Sequence, residues 1–194
     1  MYLLFYNLSN IFYIYLYLTA VCLSANILTM ELVVRDRIVA FLREIGLTVT
    51  ERTLVEPTFL PGVTVESGTI VFDPERLLYP GDLLHEAGHM AVVPADERRA
   101  FTGDVGPEMG YEIAAIAWSY AASVFLELPL DVVFHAAGYK GASDWLGETF
   151  QKGGAPGVPI LEWRGLTDYQ RVPASESLAY FPKMKKWLCE ATNS

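Results

Sequence analysis

The stretch PGDLLHEAGHMAVVP, residues 80–94, decides the fold of this chain. Asp82 is a favourable N-cap residue and Pro94 cannot continue a helix, so the stretch predicts a helix from Asp82 to about Val93. Gly88 lies in the middle of this helix, where a glycine costs about 1 kcal/mol relative to alanine. We therefore expect the next long helix to approach the backbone closely at Gly88.

The predicted helix carries the motif HEAGH, in which His85 and His89 lie four positions apart. This spacing places both imidazoles on one helix face, about 5–6 Å apart at Cβ, so that two ring nitrogens can bind one zinc ion. Glu86 is rotated away from that face, where it can contact a zinc-bound water without being a ligand. Zinc lowers the pKa of such a water towards about 7, and Glu86 accepts its proton as the general base. The competing interpretation is an ordinary helix whose histidines are merely packed or exposed.

The third zinc ligand is expected on the next helix, which the pattern predicts over residues 108–128. Glu112 is the best candidate, because it precedes an apolar, alanine-rich run where an unpaired carboxylate is expensive to bury. The alternative for Glu112 is a solvent-exposed residue that interacts favourably with the helix dipole. Glu108, in the first turn of the same helix, is the second candidate, and His135 is the third.

Two further residues are candidates for catalytic roles. His135 can bind the metal or donate a hydrogen bond to the oxyanion of a tetrahedral intermediate, and Tyr139 can share that donor role. A structural histidine at the end of an apolar turn is the alternative for His135. Three carboxylates are candidates for orienting the zinc-binding histidines: Asp104, Asp131 and Asp144.

The rest of the chain predicts an α+β fold in a single domain over residues 30–194. Apolar residues recur at helical spacing over residues 31–45. The segments Val63-Thr64-Val65 and Ile70-Val71-Phe72 flank Glu66-Ser67-Gly68, which predicts a β-hairpin. Residues 158–163 are predicted as a strand, and residues 183–191 as a final helix after a proline.

Residues 1–29 form a hydrophobic N-terminal extension without a charged residue, glycine or proline. Three interpretations compete: a mis-assigned start with translation beginning at Met30, a membrane anchor, and a secretion signal. A start at Met30 predicts a cytoplasmic protein, whereas a genuine extension predicts a membrane-anchored one. A membrane is therefore an expected partner only if residues 1–29 are genuine.

Charge and cysteine content narrow the classes of function. The net charge is −9 and no cluster of lysine and arginine stands out, so we expect no nucleic-acid partner. Cys22 and Cys189 are the two cysteines, and their positions offer neither a disulfide framework nor a CxxC metal site.

The motif His85-Glu86-x-x-His89, followed on the next helix by Glu112-x-x-Ala115, resembles the glutamate-liganded branch of the zincin superfamily. Among small members, the chain is similar to the ImmA/IrrE-type bacterial peptidases, which also place a strand or hairpin before the HExxH helix. The resemblance implies a zincin-like metallopeptidase domain with zinc bound by His85, His89 and Glu112. It also implies Glu86 as the base and a peptide or protein as the substrate.

Two alternatives to a zinc peptidase stay open. One is a non-catalytic metal-binding or protein-interaction module that keeps the zincin scaffold, although such a module has no use for a general base at Glu86. The other is hydrolysis of a non-peptide amide or ester by the same chemistry. HEAGH also occurs in membrane-anchored AAA proteases, but this chain has no GxxxxGK[ST] phosphate loop and lacks their ATPase.

Overall fold

The computed structural model describes residues 29–102, 109–169 and 180–191. Backbone contacts divide the chain into two compact units, Met1–Asp36 and Arg37–Ser194. In the first unit, the described residues 29–36 are helical. Residues 1–28, on which the interpretations of the N-terminal extension depend, lie outside the described residues. None of the helices in the described part is both long enough and apolar enough to cross a bilayer.

The second unit combines helices with a small sheet, which confirms the predicted α+β class. Its residues 37–44 are helical and form α1. The strands are β1 (Thr48–Glu51), β2 (Val63–Glu66) and β3 (Thr69–Phe72). The helices that follow are α2 (Asp82–Val92), α3 (Ala95–Arg98), α4 (Met109–Phe125), α5 (Leu130–Val133), α6 (Ser143–Gln151) and α7 (Val158–Trp163), with a 3-10 turn at Tyr139–Gly141 between α5 and α6.

The three strands form one sheet in the order β1-β3-β2. The predicted hairpin is confirmed, because β2 and β3 pair antiparallel. Ser67 and Gly68 both have positive φ angles, of 46° and 74°, as a tight hairpin turn requires. Strand β1 pairs parallel to β3, with Val49 opposite Ile70. Strand β1 was not predicted, because a four-residue strand that pairs with a non-adjacent strand carries little local signal.

The prediction of a strand at residues 158–163 is wrong, since this segment is α7. Gly157 precedes it with a φ of 79°, and Pro159 lies in its first turn, where proline is well tolerated. A short apolar run does not distinguish a buried strand from a buried helix, and here the proline decides for the helix.

The prediction of a final helix at residues 183–191 is also wrong, because the described residues there form bends, an isolated β-bridge at Met184 and irregular backbone. Their backbone groups bond to distant segments instead of to one another. The amide of Lys185 donates to the carbonyl of Leu166 at 2.8 Å, and that of Cys189 donates to the carbonyl of Ala91 at 2.8 Å. Tertiary hydrogen bonds therefore replace the helical ones.

Helices α2 and α4 pack against each other and form the centre of the core. A Cβ atom on Gly88 would lie 2.7 Å from the carbonyl oxygen of Ala115, so only a glycine allows this approach. The prediction that α4 comes close at Gly88 is confirmed. The buried hydroxyl of Ser119 joins the two helices, because it donates to the carbonyls of Ala115 (2.7 Å) and Leu84 (3.1 Å).

Candidate metal centre

His85, His89 and Glu112 form a cluster where α2 and α4 meet. The two histidines lie one turn apart on α2, and their Nε2 atoms are 3.1 Å apart. Glu112, in the first turn of α4, places Oε2 3.2 Å from Nε2 of His89 and Oε1 3.6 Å from Nε2 of His85. Of the described residues, these three bring ligand atoms within 4.8 Å of one another.

The spacing of these atoms fits a zinc ion. Ligand atoms arranged tetrahedrally about 2.0–2.1 Å from an ion are separated by about 3.3 Å. The observed separations of 3.1, 3.2 and 3.6 Å lie around that value. Two imidazole nitrogens and one carboxylate oxygen are also ligands that zinc prefers.

The protonation of the cluster favours metal binding. The His85 side chain is 12% exposed, and burial lowers its pKa from 6.5 to about 4, an effect to which the neighbouring His89 adds. A hydrogen bond from His89 lowers the pKa of Glu112, and His85 and Lys140 also contribute. A neutral imidazole and an ionised carboxylate are the forms that bind a cation.

The Nδ1 atoms of His85 and His89 are buried, and no hydrogen-bond partner for them is found in the described chain. Metal-binding histidines usually donate this second N–H to a carboxylate or carbonyl. Two of the carboxylates considered for that role, Asp131 and Asp144, are exposed. Asp104, the third, lies outside the described residues, as does Glu108, the alternative metal ligand.

Glu86, the predicted general base, follows His85 on α2 and is half-buried. Its role as the base stays a prediction.

His135 is not a member of the cluster and pairs with Asp82 instead. Its Nε2 is 3.0 Å from Oδ1 of Asp82, and its ring stacks on Tyr79 with the centroids 3.8 Å apart. Within the described residues, the group able to hold one ion therefore contains Glu112 and not His135.

Asp82 does not cap its helix as the sequence analysis expected. The N-cap residue of α2 is Gly81, and no side chain caps the helix. The Asp82 carboxylate turns towards His135 because this pairing offsets part of the cost of burying it. Burial nevertheless raises the pKa of Asp82. The sequence feature that could have indicated a buried partner for Asp82 is its position one turn before His85 on a mostly apolar helix.

Tyr139 contacts the cluster from the 3-10 turn. Its ring packs edge-on against His85, with centroids 5.5 Å apart and an interplanar angle of 83°. Burial, together with the negative charges of Asp82 and Glu112, raises the pKa of Tyr139 above its ordinary value, so the hydroxyl keeps its proton. Tyr139 and Lys140 both have positive φ angles, of 50° and 53°. Non-glycine residues adopt this conformation at a cost, and such strain is often found at functional sites.

A cavity of about 400 Å³ connects these groups. We call the cluster of His85, His89 and Glu112 the cluster wall, of which His85 and Glu112 line the cavity, and we call His135, Tyr139 and Lys140 the loop wall. The cavity is lined by Phe59, Leu60, Pro61, Tyr79, Asp82, His85, Glu112, His135, Ala137, Gly138, Tyr139 and Lys140. Neither the apolar segment 59–61 nor Lys140 was predicted to belong to the site, because neither is part of a sequence motif.

Comparisons with protein-family models, with curated proteins and with solved structures gave no match to this chain. The functional conclusion therefore depends on the geometry and chemistry of the site.

Proposed function

We propose that this chain is a zinc-dependent hydrolase with a zincin-like domain, and that it cleaves peptide bonds. The observation that carries the proposal is the cluster of His85, His89 and Glu112 beside a cavity. His85 and Glu112 line that cavity directly, so an ion held by the cluster would be accessible to a substrate. Three protein ligands leave the fourth position of a tetrahedral ion open, which is the arrangement of catalytic rather than structural zinc sites.

Each residue has a defined role in this proposal. His85, His89 and Glu112 hold the ion. Zinc supplies a Lewis acid and lowers the pKa of water. Glu86 accepts the proton of the attacking water and later donates it to the leaving amine. Both proton transfers need a carboxylate that is not itself a ligand, which matches the place of Glu86 in the motif.

Two residues of the loop wall would stabilise the oxyanion. The hydroxyl of Tyr139 keeps its proton, as its raised pKa requires, and can donate a hydrogen bond. His135 lines the same cavity, and its Nδ1 has no partner within the described part of the chain. The pairing with Asp82 fixes the orientation of the His135 ring.

The test is to measure bound zinc per chain after purification without chelator, together with hydrolysis of a peptide library. We expect about one zinc per wild-type chain, none in His85→Ala and weaker binding in Glu112→Gln. Glu86→Gln should keep the zinc and lose most of the hydrolysis, by a factor on the order of 10² or more.

The outcomes separate three cases. Zinc binding together with hydrolysis that depends on Glu86 supports the proposal. Zinc binding without hydrolysis of peptides, amides or esters would favour the non-catalytic module. A folded wild-type protein that takes up no zinc, even when zinc is added, would overturn the proposal.

A further inference from the structure

Among the described residues that line the cavity, Lys140 is the one with a positively charged side chain. It is exposed, and no ion pair to its ammonium is found within residues 29–102, 109–169 and 180–191. The other described lysines, apart from Lys183, behave differently: Lys152, Lys185 and Lys186 each pair with a carboxylate at 2.5–2.7 Å. A cation without such a partner at a cavity is available to a ligand.

The Lys140 ammonium is the positive charge of the protein that a ligand in the cavity would meet. The carboxylates that line the cavity, Asp82 and Glu112, together balance the charge of one divalent ion. The proposed base Glu86 and the Lys140 ammonium then cancel each other in the total charge, so the attraction for an anion comes from the Lys140 ammonium itself.

The backbone conformation of Lys140 is unusual for a non-glycine residue. Lys140 has φ 53° and ψ 34°, and Tyr139 before it also has a positive φ. Two successive non-glycine residues in the left-handed region cost on the order of 1–2 kcal/mol each. The turn places Tyr139 against His85 and Lys140 at the edge of the same cavity. A glycine at position 140 would relieve the strain but would remove the charge.

We propose that Lys140 binds a carboxylate of the substrate, so that the enzyme prefers peptides with an anionic group close to the scissile bond. This inference rests on the proposed zinc hydrolase function and adds a substrate class to it. The carboxylate belongs either to the C-terminus of the substrate or to an acidic side chain. Both have the same chemistry, and both form a charge-assisted hydrogen bond with an ammonium group.

Binding of zinc-directed hydroxamates tests the proposal without a turnover assay. The probes are four malonyl hydroxamates that carry glycine, glycinamide, glutamic acid amide or glutamine amide. Within each pair the two probes differ only in a carboxylate and an amide. The first pair mimics a free C-terminus and the second pair an acidic side chain. Dissociation constants are measured by calorimetry on the full chain loaded with zinc.

We expect one carboxylate probe to bind roughly 10-fold more tightly than its amide counterpart. The pair that shows this gain identifies the source of the carboxylate. Lys140→Met should reduce the gain to less than about two-fold, whereas Lys140→Arg should retain most of it, because it keeps the charge. Lys152→Met is the matched control, since Lys152 is ion-paired with Glu148 at the surface and does not line the cavity.

The outcomes distinguish this inference from the proposed function. Equal binding of all four probes to the zinc-loaded wild type would overturn the role of Lys140 and leave the hydrolase proposal intact. A carboxylate preference that survives in Lys140→Met would also overturn it. If the folded chain binds no zinc, the proposed function and this inference fail together. Zinc content is measured for every variant, so that a change in affinity is not confused with loss of the metal.

Discussion

The cluster wall and the loop wall face one cavity but are held in place by different means. On the cluster wall, His85 and His89 occupy successive turns of α2, and Glu112 is brought to them by the packing of α4. On the loop wall, Tyr139 and Lys140 belong to a 3-10 turn with a strained backbone. A buried pair between different segments holds His135 there.

This difference indicates that the two walls have different functions. Regular helices fix ligand atoms to within a few tenths of an ångström, as a metal requires. A turn between helices can change its residues without disturbing the core, and it is the usual place for residues that select a substrate. Variants that affect only one wall test whether metal binding and substrate selection are independent.

The largest effect is expected from Gly88→Ala on the cluster wall. The new Cβ would lie 2.7 Å from the carbonyl oxygen of Ala115, which is backbone and cannot move without separating α2 from α4. We expect a loss of about 3 kcal/mol in the free energy of unfolding, and weaker zinc binding, because the helix spacing sets the distance to Glu112. Urea denaturation and zinc titration measure the two effects.

Gly147→Ala is the matched control for this substitution. Gly147 is also a buried glycine within a helix, but a Cβ there would make an ordinary contact of 3.6 Å with the Phe134 ring. The change should be neutral or stabilise the protein by up to about 1 kcal/mol, through helix propensity alone. Equal stabilities of the two variants would contradict the close contact between α2 and α4.

On the loop wall, His135→Ala should destabilise the protein by about 3 kcal/mol without loss of zinc. The substitution leaves the Asp82 carboxylate buried without its hydrogen-bond partner. The double variant with Asp82→Asn should lose less than the sum of the single losses, because the buried charge is removed as well. Unfolding free energies and zinc content are measured together. Loss of zinc in a stable His135→Ala protein would show that the two walls are not independent.

A smaller effect is expected from pH, with opposite signs for His85 and Asp82. The pKa of His85 is about 4 in the folded chain and 6.5 in its ordinary state. The unfolded chain therefore binds more protons between pH 6.5 and pH 4, and stability falls as the pH is lowered through this window. The loss is on the order of 2–3 kcal/mol in chelator-treated protein, and His85→Asn should reduce it.

The titration of Asp82 changes stability in the opposite direction to that of His85. Its pKa is raised in the folded state, so its contribution to stability is present at low pH and is lost as the pH rises through the folded pKa. Asp82→Asn should therefore make the loss of stability on acidification steeper. Stability is measured by urea denaturation from pH 4 to pH 7. An unchanged slope in both variants would show that these two groups do not dominate the acid response.

Much of the cluster wall was predictable from the sequence, because its geometry depends on residues a few positions apart. The separation of His85 and His89 by four residues specifies one helix face in any context. The cost of glycine in a helix correctly indicated the close approach at Gly88. The hairpin was predictable for the same reason, since two short β-prone segments and the Ser-Gly turn between them lie within a few residues of each other.

The errors occurred where local signals were equivalent. Residues 158–163 are apolar enough for a strand or a helix, and residues 183–191 had helical character without the tertiary bonds that hold them in another form. Asp82 is a good N-cap residue in isolation, but a histidine 53 positions away competes for its carboxylate. Such competition depends on the folded backbone, so the residues next to Asp82 in the sequence do not predict it.

The sequence by itself determined the α+β class, the helix that carries His85 and His89, and the position of Glu86 beside them. Only the tertiary structure decided which distant groups meet there. It brought Glu112 to within 3.2 Å of His89, paired His135 with Asp82, and set Lys140 at the cavity. The physical reason is the sequence separation of the interacting residues. Helix geometry follows from bonds between neighbouring residues, whereas the contacts between distant residues depend on how whole helices and turns pack.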